Sequence, residues 1–448
     1  MLAFFQLQIR KVPELRKESC MPDRGFYGWK LLAVFWILVL VNLGFPMYGS
    51  SVINSIMMHD LHLDRRTLGL LFSLYTIMSG LPGPLVAVCV ERFGVRVTLV
   101  MGCLFVTTGS VLMATAVSTG LHAALAFGVL IGLGVAMGGV ISTQSGLARW
   151  FVRRRALVLA ILSTSSGVGG FLAAPLLNRL IASANGNWRV GWWFIAAFSG
   201  LGALLAMISV KERPSDLNQE PDGGSGHATT AVKHGKHQGR VAVHITAETW
   251  SYREAITGPT YWLLILSQVG MSCGYTVFLA HGVVHLQDLG HTRDAGSWAI
   301  SMMALAGLAA KAIVGALGDR IDPRYIWACF VGVFGMGQLL VLQANTGLLL
   351  VVSASCLGIG FGGGVVCAAA VLSNYYGMKI FAALIGLTIA LNTSLTAIAP
   401  SIAGWLYDQG YGYRGLFYVI AVWCIAGALV LLTLKPPVRK ADRKPVAA

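Results

Sequence analysis

Twelve runs of predominantly apolar residues alternate with short polar connections along the chain, at 27–49, 66–88, 97–117, 121–147, 155–181, 189–210, 259–286, 296–318, 325–343, 347–372, 380–404 and 412–434. About 20 residues in a helix cross the roughly 30 Å hydrocarbon core of a bilayer, so each run predicts a membrane-spanning helix. One connection differs: residues 211–258 are rich in Pro, Gly, Ser, His and Lys, and this reads as a solvated linker dividing the spans six and six. The expected organisation is a tail at 1–26, a six-helix bundle at 27–210, the linker at 211–258, a second bundle at 259–434 and a tail at 435–448.

Composition agrees with lipid as the main solvent. Only 11% of the 448 residues are charged and 56% are hydrophobic, with a mean hydropathy of +0.70. A soluble domain carries about a quarter charged residues. The net charge of +15 is no nucleic-acid footprint, because its Lys and Arg are scattered between apolar runs. Topology explains it instead. Of the 33 Lys and Arg, 26 fall on the side that carries both tails and the linker, and six (Arg65, Arg66, Arg179, Arg189, Arg293 and Arg414) fall opposite; Lys311 lies inside a span. Positive charge collects on the cytoplasmic side, which predicts a multi-pass protein of a cytoplasmic (inner) membrane with both termini cytoplasmic.

Residues 1–20 are too short and too charged for a span or cleaved signal, and Met21 stands directly before the first helix. They read equally as an amphipathic tail or an over-extended start. Seven of eight cysteines lie in apolar segments without metal-ligand spacing, which points to neither a disulfide framework nor a metal site.

The halves repeat. At an offset of 225, Gly138, Gly139 and Val140 fall on Gly363, Gly364 and Val365, Trp150 and Phe151 on Tyr375 and Tyr376, Ala174 and Pro175 on Ala399 and Pro400, and Trp188 and Arg189 on Tyr413 and Arg414. Upstream the offset is 228, which matches Glu91 and Arg92 to Asp319 and Arg320. A parallel repeat of six helices resembles the plan of the major facilitator superfamily, with the substrate near the midplane between the bundles. GPLVAVCVERFGVR and GALGDRIDPR resemble that superfamily's loop signature, which implies that Glu91, Arg92, Asp319 and Arg320 act as a gate on the cytoplasmic side. GLGVAMGG, SSGVGG and GIGFGGG supply small residues for close, mobile helix packing.

Two motifs are more specific. RGFYGW at Arg24–Trp29 resembles the start of the first helix in the monocarboxylate transporter family, and WFVRRRALVLAILSTSSGVGG at Trp150–Gly170 is similar to that family's fifth-helix signature. The resemblance implies transport of short organic monocarboxylates, coupled to protons or by exchange. It places Lys311 where animal members carry a carboxylate-binding Arg on the eighth helix, Gly307 where they carry an Asp, and Met47 where they carry a Lys. One of three charges is kept, so the family's proton route lacks its usual groups here.

Lys311 has independent weight, because a Lys within a span costs about 2.5–3.5 kcal/mol unless a partner, cavity or substrate compensates. Snorkelling towards the cytoplasmic headgroups is the rival explanation. On the seventh span His281 and His285 share a face, preceded by Tyr275. His281 is the candidate proton carrier or ligand. Uncharged candidates for the substrate site are Asn42, Tyr48, Gln144 and Asn392, each equally able to bond another helix. The expected function is a secondary transporter for a small organic anion, most simply a monocarboxylate, with the proton as coupling ion, no cofactor, no nucleic-acid partner and a monomeric unit. A dicarboxylate or formate-type antiporter is the alternative within transport, and a non-transporting membrane sensor the alternative outside it. No catalytic constellation supports an enzyme.

Overall fold

A computed structural model describes residues 26–152, 154–223, 244, 246, 249–317 and 321–437. Its membrane helices are α1 (Gly28–Asp60), α2 (Arg65–Gly80, continuing after Pro82), α3 (95–115), α4 (Gly120–Trp150), α5 (Arg155–Ser183), α6 (Arg189–Ser209), α7 (Pro259–Asp288), α8 (Arg293–Leu317), α9 (Pro323–Val341), α10 (Gly347–Tyr376), α11 (Lys379–Asp408) and α12 (Arg414–Thr433). We call the end near residues 26 and 437 the terminal face and the opposite end the far face.

The end of α2 and the start of α3 run on as one stretch, Gly83–Thr115, interrupted at Gly94 (φ +88°, ψ 166°). That left-handed conformation favours glycine and turns the chain between two spans in a single residue. The pair therefore counts as two of twelve helices, although 11 stretches among the described residues are long and apolar enough by themselves. α1 runs 11 residues beyond its expected end at Gly49, and its middle, Leu40–Gly49, is widened into a π-helix around Pro46. Proline removes one backbone donor, and local π geometry accommodates the gap.

Each half packs in the same way. α3 lies against α4 and α6, as α9 lies against α10 and α12; between the halves, α2 runs along α11 and α5 along α8. Gly138 faces α3 and Gly363 faces Phe330 of α9, equivalent places in the two halves. Large apolar side chains such as Leu104, Ile208, Leu348 and Val422 point outwards, where lipid replaces water as solvent.

The halves are joined unevenly along their length. Among the described residues, every hydrogen bond between them lies between the midplane and the far face: Tyr275 to Tyr48, Ser301 to Phe171, Ser401 to Ser73, Asn178 to Asp294, Arg65 to Asp288 and Tyr413, and the Arg65 and Arg66 amides to Asp408. The buried core follows suit. One cluster includes residues of both halves, whereas the terminal end of the first half, around Phe35, Val90, Trp150 and Val158, forms a separate cluster. The conformation is closed at the far face.

Candidate functional site

Where α8 meets α10, the backbones nearly touch. A Cβ on Gly358 would stand 2.1 Å from the Met303 carbonyl oxygen, and one on Gly362 would stand 2.2 Å from that of Gly307. Only glycine permits that approach. The seam borders a cavity of about 40 Å³ between the halves, lined by Tyr48 of α1, Gly167 of α5, Tyr275 of α7, Gly307, Leu308 and Lys311 of α8, and Phe361 of α10, among others. Lys311 is part-buried and has no hydrogen-bond or ion-pair partner among the described residues. Gly307 is one helical turn from it, on the same face.

Two phenols line the same cavity. Tyr275 donates to Tyr48 at 2.8 Å, and its ring stacks on Phe361 with centroids 3.6 Å apart at 8°. Tyr75 of α2 lies within electrostatic range of Tyr48, with its buried hydroxyl unpartnered. A cationic amine, two hydroxyls and an aromatic wall make a small site able to receive an anion carrying an apolar group.

The other sequence candidates lie elsewhere. Asn42 is fully buried inside the first bundle, donating to the Leu38 carbonyl and Cys103 Sγ and accepting from Ser199 Oγ at 2.6 Å. Gln144 is part-buried on α4 and is absent from the cavity lining. Asn392 is part-buried on α11, with its Oδ1 buried and unpaired. Glu91 and Arg92 are exposed, Arg92 lying over the Phe93 ring at 5.7 Å. Asp319 and Arg320 lie outside the described residues.

His281 is fully buried but belongs to a cluster at the far face. Burial raises the Tyr413 phenol above its ordinary value, so it stays protonated. Tyr413 accepts from Arg65 at 3.1 Å, and its hydroxyl stands 3.0 Å from His281 Nδ1. The Pro400 carbonyl, 2.9 Å from Nε2, can only accept, so Nε2 carries the proton and Nδ1 takes the tyrosine's. Arg65 also forms a two-pronged pair with Asp288 at 2.8 and 2.9 Å and lies 4.1 Å over the Tyr407 ring. Asp408 accepts from the Arg65 and Arg66 amides, capping the start of α2 from the other half. His285 packs against Tyr413 and Phe417.

Sequence reasoning also missed a network at the terminal face. Glu212, assigned to the linker, pairs with Arg149 at 2.8 Å and accepts from the Val95 and Arg96 amides at 3.0 and 2.8 Å. It thereby ties α4 to the first turn of α3. The first-helix and fifth-helix motifs meet beside it, with Phe26 5.3 Å and Trp29 5.2 Å from Phe151. Their joint presence was the available signal.

Comparisons with known proteins agree with this architecture. The family profile described as Major Facilitator Superfamily matches residues 34–296 and 264–447. Monocarboxylate transporter 13 of Bos taurus is 26% identical, over 92% of this chain and 90% of its own length. An uncharacterised transporter, YycB of Bacillus subtilis (strain 168), is 23% identical over 89% and 93%. Among solved structures, a D-xylose-proton symporter superposes with a TM-score of 0.68 at 16% identity, covering 92% of this chain and 98% of that one. A bacterial homologue of the lysosomal transporter Spinster, inward-facing and occupied, gives 0.66 at 14%, covering 91% and 97%. These structural likenesses establish the fold. With a profile that spans most of its length and transporters rather than enzymes as relatives, the chain belongs to the major facilitator superfamily and is related to the monocarboxylate transporters.

Proposed function

We propose that the protein is a secondary transporter of a small organic monocarboxylate, working by alternating access across a cytoplasmic membrane with both termini inside. The carrying observation is Lys311, an amine without a hydrogen-bond or ion-pair partner among the described residues, in a cavity between the halves that Tyr48 and Tyr275 also line. Taking an anion out of water costs several kcal/mol, and an ammonium that lacks an acid of its own is suited to offset that cost. Positive charge on the terminal side supports the orientation. On that orientation the far face is external, and the conformation is inward-facing. The bundles would rock about the cavity, exchanging contacts at the far face for contacts at the terminal face, with Glu91, Arg92, Asp319 and Arg320 proposed among the latter.

The test is uptake of labelled lactate, pyruvate, 2-oxoisovalerate and phenylpyruvate into proteoliposomes, with and without an imposed proton gradient. At least one is taken up by the wild type, and Lys311→Gln reduces that uptake at least tenfold while inserting normally. Near-normal uptake by Lys311→Gln would move the site away from this residue.

A further inference from the structure

Among the described residues the site holds one strong base and no acid. Around Lys311 the titratable groups are the Tyr48 hydroxyl from α1 and the Tyr275 hydroxyl from α7; α5 offers Gly167, and α10 offers Gly358, Phe361 and Gly362. Charged or titratable groups elsewhere on these helices are engaged or distant. His281 and His285 of α7 belong to the far-face cluster, Asp60 of α1 accepts from Trp188 at 2.8 Å, and Arg155 and Arg179 of α5 are exposed. Cys356 and Cys367 of α10 do not line the cavity. Asp319, eight positions after Lys311 in the sequence, lies outside the described residues. We propose that Lys311 is itself the proton carrier: it crosses with the substrate as an ammonium–carboxylate pair and recrosses empty only as the neutral amine. The inference rests on the reading that Lys311 meets the substrate carboxylate.

The physical reason is the cost of an unpaired charge. A cavity of about 40 Å³ has room for roughly two or three waters, far short of a hydration shell. When the loaded site closes, the substrate supplies the counter-charge. When it closes empty, the ammonium has none, and losing the proton removes the penalty. Tyrosine hydroxyls suit both states, because each can accept from an ammonium or donate to an amine lone pair. A carboxylate in place of Gly307 would hold the ammonium charged instead.

The cycle balances. On the far side, water delivers a proton to the Lys311 Nζ lone pair and the carboxylate binds. On the terminal side the carboxylate leaves, the N–H bond breaks, its electron pair stays on nitrogen and the proton passes to water. One anion and one proton move together without net charge, while exchange of one anion for another never requires the proton to leave.

The test compares exchange with net movement in proteoliposomes, using the monocarboxylate of the panel above that the wild type carries fastest. In the wild type, lowering pH on both sides slows net efflux at least tenfold relative to exchange, and an imposed potassium diffusion potential leaves net movement unchanged. Lys311→Arg, whose guanidinium does not deprotonate, retains exchange but loses net movement at every pH. As a second variant, Lys311→Cys, in a background with the other cysteines replaced, is alkylated with 2-bromoethylamine to restore a more acidic amine. Net movement then returns, and its half-maximal pH falls. Asp319→Asn keeps the pH dependence of net movement. Net, pH-dependent movement by Lys311→Arg, a pH profile unmoved by the alkylated variant, or loss of pH dependence in Asp319→Asn would overturn the coupling inference while leaving the anion site intact. Normal transport by Lys311→Gln would instead overturn the site itself.

Discussion

Asp288→Asn tests whether the far-face cluster sets the balance between the two orientations of the bundles. Asp288 holds Arg65 through two charge-assisted bonds, and the side chains are 33% and 12% exposed. That exposure places the pair between a surface ion pair, worth about 0–1 kcal/mol, and a buried one, whose breaking costs about 3–5 kcal/mol. About 2 kcal/mol is the reasoned value. Opening the far face returns Arg65 to water whichever residue stands at 288, so the loss falls almost wholly on the closed conformation. By the relation between free energy and equilibrium, about 2 kcal/mol is roughly thirtyfold. A far-face-open population of about 1% would then rise to about a quarter.

Spin labels at Ser118 and Asn345 report the change by double electron–electron resonance, because these exposed residues sit in corresponding far-face loops, α3–α4 and α9–α10. Asp288→Asn is preferable to replacing Arg65, whose removal would also empty the face of Tyr407 and the hydroxyl of Tyr413. The expected result is a new long-distance population in Asp288→Asn that is absent from the wild type. Unchanged distances in correctly inserted protein would refute the reasoning and leave the Asp408 cap and α5–α8 packing as what holds the face closed.

Three further outcomes follow from the packing. Gly358→Ala forces a Cβ to within 2.1 Å of the Met303 oxygen, so the α8–α10 seam must spread and transport should fall at least tenfold with insertion preserved; normal transport would show the seam to be pliable. Asn42→Ala removes one inter-helix polar knot, a loss of about 0.6 kcal/mol, and should lower thermal stability slightly while leaving substrate KM unchanged; a raised KM would return Asn42 to the binding site. Glu212→Gln exchanges an ionised acceptor for a neutral one at the α3 amides and Arg149, so thermal stability should fall by about 1–2 kcal/mol, read from the unfolding midpoint in detergent.

Element existence was legible because a bilayer imposes it: every apolar run became a helix. Boundaries were less so. α1 reaches Asp60 because Ser50, Ser51, Asn54 and Ser55, which lower the apolarity of that stretch, are buried against other helices rather than placed in a loop. Lys311 stood out as the one cation well away from the ends of a span. His281, Asn42 and Asn392 were equally visible, but polar identity gives no information about the partner. His281 is held by groups 119 and 132 positions away, and Arg65 by residues 223 and 348 away. Such distances leave no local pattern to read.

The repeat explains why one far-face crossing exists and where it breaks symmetry. At an offset of 228, Asp60 corresponds to Asp288 and Arg65 to Arg293; at 225, Trp188 corresponds to Tyr413. Two ion pairs related by the axis were therefore available. Only Arg65 with Asp288 is made among the described residues, and the Arg293 Nε has no partner. The difference lies in the aromatic residue. Trp188 has a single polar hydrogen and gives it to Asp60 within its own half, whereas Tyr413, as donor and acceptor, links Arg65 to His281 and leaves Asp288 free to cross. The same logic holds at the midplane. Tyr48 and Tyr275, 227 positions apart, are near-equivalents that meet hydroxyl to hydroxyl, while Lys311 falls on Gly83 and has no counterpart. At the midplane near-equivalent residues join the halves, and Lys311, the charge proposed to select an anion, sits where the two copies have diverged.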